Sequence, residues 1–269
     1  MAELCYETIN YSPFLQPQLA DLPRQIRAAA AAGYRWIGLD IASLEQHRER
    51  GGKWEELARE LRACGVGCFG LQHISIGADR AAVLRETQQL AAAADAFGPR
   101  WVQCGVTDPL DARVVEHFQL AALRLAELGA GLSIEFLPFL PACDIAGARE
   151  LLRRAQAPNA ALLIDSWHFF FGPDDWAALE SVSPAELACV QFNDHAELAL
   201  APAALYEETA HRRVLPGQGR FELERFCRTL RARGFDGVVS VEVLSRSLRE
   251  LAPEEFARET WRAAAGYWT

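Results

Sequence analysis

Gly131-Leu-Ser-Ile-Glu-Phe136, then Ile145-Ala-Gly-Ala-Arg-Glu-Leu-Leu-Arg-Arg-Ala155, then Ala161-Leu-Leu-Ile-Asp-Ser-Trp-His168 is the stretch whose reading decides the fold. A short apolar run, a segment of helical period and a second short apolar run make a strand–helix–strand unit. Both runs close on a carboxylate, Glu135 and Asp165.

The same alternation extends outward in both directions. Strands are expected near Cys5–Asn10, Trp36–Ile41, Gly67–His73, Trp101–Val106, Leu132–Phe136, Ala161–Ile164, Ala188–Phe192 and Val238–Val243. Helices are expected near Pro17–Ala32, Trp54–Ala63, Ala81–Ala94, Arg113–Leu128, Ile145–Ala155, Asp175–Leu179, Leu223–Arg233 and Pro253–Ala264. Eight such pairs without a Pro/Ser-rich linker predict one (β/α)8 TIM barrel over residues 1–269, with an open doubly wound sheet as the competing α/β arrangement. Gly33, Gly65, Gly131 and Gly234 each follow a helix and precede a strand, as helix-ending glycines do. The longest irregular stretch, about Asn193 to Arg220, follows the seventh strand on the face where a barrel carries its chemistry.

Composition narrows the function classes. Over 269 residues, 51% hydrophobic and 23% charged is an ordinary globular balance, and no apolar run approaches a membrane span. A net charge of −9 repels a phosphate backbone, so nucleic-acid binding is not expected. The amino-terminal residues lack the basic and apolar regions of a secretory signal, which points to the cytoplasm. The seven cysteines are scattered and set among apolar neighbours, so reduced buried thiols are expected. Lys53 is the only lysine and opens a helix after Gly51-Gly52, a solvated position unsuited to Schiff-base chemistry.

Parallel strands in a barrel end on one common rim. Glu135, Asp165, Gln191 and Glu242 end or nearly end the last four strands, bringing three carboxylates and an amide to one centre. Crowded anions raise one another's pKa unless a cation compensates, so one divalent ion is expected there. An all-oxygen donor set suits Mn2+ or Mg2+ better than Zn2+. The plainer alternative is that each polar residue caps its own strand or a neighbouring helix. His168, three residues beyond Asp165, is placed to handle a proton or orient substrate without binding the ion. Trp167 and Phe169-Phe170-Phe171 read as packing around the pocket. Arg213, in His211-Arg212-Arg213-Val-Leu-Pro-Gly217-Gln-Gly219, suggests a cradle for phosphate or carboxylate. Asp194 and His73 join Arg213 and His168 as candidate substrate contacts, and Asp40 is a further rim residue.

These residues resemble the xylose-isomerase-like sugar phosphate isomerases and epimerases. The resemblance rests on Ile-Glu135-Phe, Leu-Ile-Asp165-Ser-Trp-His168, Val-Gln191-Phe-Asn-Asp194, Arg213-Val-Leu-Pro-Gly217-Gln-Gly219 and Val-Ser-Val-Glu242-Val. It implies a divalent ion, commonly Mn2+, Mg2+ or Co2+, held at Glu135, Asp165, Gln191 and Glu242. Many members have His where this chain has Gln191, and glutamine there looks more like the metal-dependent 3-dehydroshikimate dehydratases. The expected activity is isomerisation or epimerisation of a small polyhydroxy ketone, free or phosphorylated, through an enolate, with Glu135 and Glu242 trading a proton across the two faces of the substrate carbon. Dehydration of a cyclic hydroxyketone, such as 3-dehydroshikimate or an inosose with His168 as base, is the first alternative, and a non-catalytic metabolite-binding barrel the second. No membrane or nucleic-acid partner is expected, and a homo-oligomer stays open.

Overall fold

The computed structural model describes residues 2–17 and 20–269. Eight parallel strands close into a barrel: β1 (Glu3–Glu7), β2 (Trp36–Asp40), β3 (Gly67–Ile76), β4 (Trp101–Val106), β5 (Gly131–Glu135), β6 (Ala160–Asp165), β7 (Leu187–Phe192) and β8 (Val238–Val241). Each strand pairs with its neighbours in sequence, and β1 pairs with β8 to close the ring, so the open-sheet alternative is set aside. Eleven α-helices accompany these strands among the described residues: α1 (Leu22–Ala32), α2 (Ile41–Glu49), α3 (Trp54–Cys64), α4 (Arg80–Phe97), α5 (Ala112–Ala126), α6 (Ile145–Ala155), α7 (Ser166–Phe171), α8 (Trp176–Glu180), α9 (Leu205–His211), α10 (Leu223–Ala232) and α11 (Pro253–Trp268). No helix of the described residues is long and apolar enough to cross a membrane.

The strands carry two apolar layers because successive side chains face opposite ways. Leu132, Ile134, Leu162, Ile164, Val190 and Val239 pack outward with the helices. Cys5, Phe69, Leu163, Cys189 and Val238 form a separate cluster inside the barrel. All seven cysteines are free, and five of them are buried.

Several elements differ from the sequence reading, among them β3, which runs on to Ile76. The first strand starts at Glu3 and ends at Glu7, because Thr8–Tyr11 winds into a 3-10 turn held by Asn10, whose Nδ2 donates to the carbonyls of Glu7 and Val241. The first helix starts at Leu22, where the Asp21 side chain accepts from the Arg24 N–H and Pro23 occupies the first turn. Of the residues expected to lead into it, 18 and 19 lie outside the described residues. The stretches directly after β2 and β6 are helices, α2 and α7, capped by the strand-end aspartates: Asp40 accepts from Ser43 N–H at 3.0 Å and Asp165 from Trp167 N–H at 2.6 Å. The segment after β7 is more ordered than expected, containing α9 and an antiparallel pairing of Asp194–His195 with Arg213–Val214.

Candidate active site

Above the apolar plug the barrel interior turns polar. Glu7, on β1, is fully buried and accepts from Ser240 Oγ at 2.5 Å, Gln72 Nε2 at 2.7 Å and the Cys5 thiol at 3.4 Å. Burial pushes its carboxyl up to about 7 against the pull of those three hydrogen bonds. Gly38, its register partner on β2, makes the room, since a Cβ at position 38 would lie 1.9 Å from Glu7 Oε2. On the other side of this layer Gln191 Nε2 donates to Gln103 Oε1 at 3.2 Å and to Glu242 Oε1 at 3.0 Å.

Next come the strand-end residues. Glu135 and Asp165 are the last residues of β5 and β6, Gln191 stands beside Asp165 in the β6–β7 register, and Glu242 follows β8 directly. All four are buried. Arg213, also buried, ties two of them together: its Nη1 donates to Asp165 Oδ2 at 2.7 Å, Glu242 Oε2 at 3.1 Å and the Glu242 carbonyl at 3.2 Å. Its Nε and Nη2 donate to the Thr209 carbonyl at 2.9 Å and Thr209 Oγ1 at 2.7 Å. His168, on α7, places Nε2 at 3.1 Å from Glu135 Oε1. Ligand atoms of Glu135, Asp165 and His168 lie within 4.8 Å of one another, close enough to share one metal ion, so the structure brings His168 up to the ion position that the sequence reading keeps it off.

Charge explains the titration pattern. Burial raises the Asp165 carboxyl, but Arg213, His168 and Asn193 outweigh it and hold the group below its ordinary value. Asn193 contributes through Nδ2, which donates to both Asp165 oxygens at 3.0 and 3.2 Å. Glu242 goes the other way, raised by burial and by the nearby Glu135, Asp165 and Glu7 in spite of Arg213. One guanidinium is thus shared among several acids and does not neutralise them.

The residues present fit a divalent ion. Gln191 Oε1 is buried and has no hydrogen-bond partner, because the amide nitrogen takes both neighbours. Leaving a buried amide oxygen unsatisfied costs about 1–3 kcal/mol, and a cation among the adjacent carboxylates would satisfy it. His168 Nδ1 is likewise buried without a partner.

The strand-end set opens into a cavity of about 530 Å3. Glu135, His168, Arg213, Glu242 and His73 all line it, as do Asp40, Gln72, Glu86 and Gln89. Burial lowers His73 below its ordinary value although Glu135 and Glu86 oppose this. Part of the lining is apolar, with Phe139 edge-on to both His168 and Tyr206. Trp167 packs at 4.5 Å between ring centroids on Phe171, consistent with a packing role.

Asp194 does not line this cavity. Its carboxylate accepts from the backbone N–H groups of His195 at 2.8 Å, Gly217 at 3.0 Å, Gly219 at 2.9 Å and Phe221 at 3.1 Å. The cradle read in Arg213–Gly219 therefore holds an anion, but that anion is the chain's own Asp194, and Arg213 spends its donors on Asp165, Glu242 and Thr209. Asp40 is similarly engaged, by Thr8 Oγ1 at 2.9 Å and Ser12 Oγ at 2.6 Å. Sequence reasoning missed Glu7, Gln103 and Glu86. A glycine opposite Glu7 in the next strand is the one signal that could have pointed to it.

Among curated proteins the chain is 28% identical over 229 residues to a 3-dehydroshikimate dehydratase of Pseudomonas aeruginosa, covering 84% of this chain and 32% of that protein. It is 27% identical over 130 residues to an inosose isomerase of Bacillus subtilis, covering 47% of this chain and 45% of that protein. The chain thus spans about a third of the first relative's length and under half of the second's. Among solved structures, the IOLI protein with a bound zinc atom superposes with a TM-score of 0.82 at 16% identity, covering 98% of this chain and 97% of that one. An L-ribulose 3-epimerase superposes with a TM-score of 0.73 at 16% identity, covering 99% and 94%. A family model described as xylose isomerase-like TIM barrel matches residues 26–267, and the chain belongs to that family.

Proposed function

We propose that the chain is a divalent-metal-dependent isomerase or epimerase of a small polyhydroxy ketone. The observation that carries the reading is the gathering of Glu135, Asp165 and His168 within 4.8 Å, with Glu242 tied to Asp165 through Arg213 and to Gln191, whose Oε1 is left without a partner. Glu135, Asp165, Gln191 and Glu242 would hold the ion. When bound, it supplies positive charge next to a ketone oxygen and so makes the adjacent C–H acidic. Glu135 and Glu242 line the cavity from non-adjacent strands, β5 and the end of β8, an arrangement suited to proton removal on one face of a carbon and return on the other. His168 fixes Glu135 through Nε2, and Arg213 fixes Glu242 and Asp165. Leu137, Phe139 and Leu140 line the cavity and would shield the exchanging proton from water. Relatives with isomerase and epimerase names, and the zinc atom bound to the IOLI protein, support this reading.

A second reading, dehydration of a cyclic hydroxyketone, is favoured by Gln191 on β7 and by the dehydratase relative, whose match covers 84% of the chain. In that reaction His168 takes the proton and the β-hydroxyl leaves. Incubation of Mn2+-loaded protein in D2O with an inosose, ketohexoses and 3-dehydroshikimate separates the two. Deuterium next to the ketone with no new absorbance is the result expected, and a rising conjugated-enone absorbance would establish the second reading instead. Exchange that persists undiminished after chelation would overturn both.

A further inference from the structure

The cavity walls carry information about the charge of the molecule they admit. Arg213 is the only arginine or lysine among the described residues lining the cavity. Its nitrogens donate to Asp165, Glu242 and Thr209, leaving no free fork for a phosphate or carboxylate. The glycine N–H groups that could have cradled an anion, those of Gly217 and Gly219, both point at Asp194. Four carboxyl groups, by contrast, line the space: Asp40, Glu86, Glu135 and Glu242.

Glu86 matters most, because it stands apart from the strand-end set. It is carried by α4, and its Oε2 accepts from the Ser75 N–H at 2.7 Å. Gln89, one turn further along the same helix, and His73 line the cavity with it. Both side chains offer acceptors for hydroxyl groups, and the Glu86 carboxylate also repels an anion. Leu137, Phe139 and Tyr206 supply an apolar surface for the C–H face of a compact molecule. Even a divalent ion and Arg213 together bring three positive charges against five carboxyl groups, Asp165 included.

We propose that this cavity selects an uncharged polyhydroxy ketone and discriminates against phosphorylated and carboxylated counterparts, with Glu86 as the specificity-determining residue. This rests on the reaction proposed above and narrows its substrate class.

Calorimetric titration of the Mn2+-loaded full chain tests it with matched ligands: D-fructose against D-fructose 6-phosphate, D-fructose against its C6 carboxylate D-fructuronate, and D-tagatose against D-tagatose 6-phosphate. The uncharged member of each pair should bind about tenfold more tightly or better, the scale of one like-charge repulsion in a partly buried site. Glu86→Gln should narrow that ratio severalfold while leaving bound Mn2+ unchanged. The proposal fails if an anionic member binds as well as its partner, if no uncharged member binds, or if Glu86→Gln leaves the ratios unaltered. Its failure is distinguishable from failure of the reaction itself. A protein that holds Mn2+ and exchanges deuterium into a sugar phosphate keeps the reaction and loses this selectivity, whereas one that holds no ion and exchanges nothing loses the reaction.

Discussion

Glu135 and Glu242 are both buried acids, yet their partners differ: Glu135 meets the imidazole of His168, while Glu242 meets a guanidinium and an amide. Two acids held by different partners around one cavity suit a proton that leaves one side and returns on the other. Glu135→Gln and Glu242→Gln should each lower kcat by about 10²-fold or more, measured by deuterium exchange. His168→Ala should lower turnover but retain bound metal in elemental analysis if Glu135, Asp165, Gln191 and Glu242 are the ligands, and loss of the metal would instead make His168 a ligand, as its place beside Glu135 and Asp165 allows. Glu7 supplies a pH test. Its folded pKa of about 7 lies above the ordinary 4.5, so the folded chain binds more protons than the unfolded one between those values. Stability from this group is therefore present at low pH and lost as pH rises through about 7, up to about 3 kcal/mol. In metal-free protein, Glu7→Gln should flatten the fall in denaturation midpoint over that window, and parallel profiles for the two proteins would contradict the assignment.

At the scale of elements, the decisive device is the segment after β7. Asp194 gathers four backbone N–H groups and thereby folds residues 213–221 back over the strand ends, which sets Arg213 against Asp165 and Glu242. Gly219 is required there, since a Cβ would lie 2.2 Å from Asp194 Oδ1. Asp194→Ala leaves those N–H groups without their acceptor and should destabilise the fold by about 2–4 kcal/mol. It should also weaken metal retention through displacement of Arg213, read by denaturant unfolding and metal analysis on the same sample. The strand ends bearing Glu135 and Asp165 were legible in the sequence because each closes an apolar run, and the eight-fold alternation was legible because it repeats. The helix α2 was not: Ile-Ala-Ser-Leu-Glu-Gln-His-Arg-Glu buries only Ser43 and Leu44, so its periodicity is faint and its cap, Asp40, looks like a rim residue. Asp194 looked like a substrate contact because sequence shows that it follows a strand but not that glycine amides twenty-odd residues later return to it. Glu7 was hidden for the same reason, as its partners Gln72 and Ser240 come from distant strands.

On the scale of the whole molecule, the barrel is a gradient of polarity. An apolar plug of Cys5, Phe69, Leu163, Cys189 and Val238 closes one end, a layer of Glu7, Gln103, Gln191 and Ser240 follows, and the acidic strand ends open into the cavity. Such a concentration of buried carboxyl groups is costly without compensating charge, and Arg213 supplies only part of it. In the proposed function a divalent ion supplies the rest. Anomalous diffraction from crystals grown with Mn2+ tests this most directly. A single strong manganese peak within bonding distance of Glu135, Asp165, Gln191 and Glu242 is the result expected; an absent peak at full Mn2+ exposure, or one elsewhere on the molecule, would contradict it.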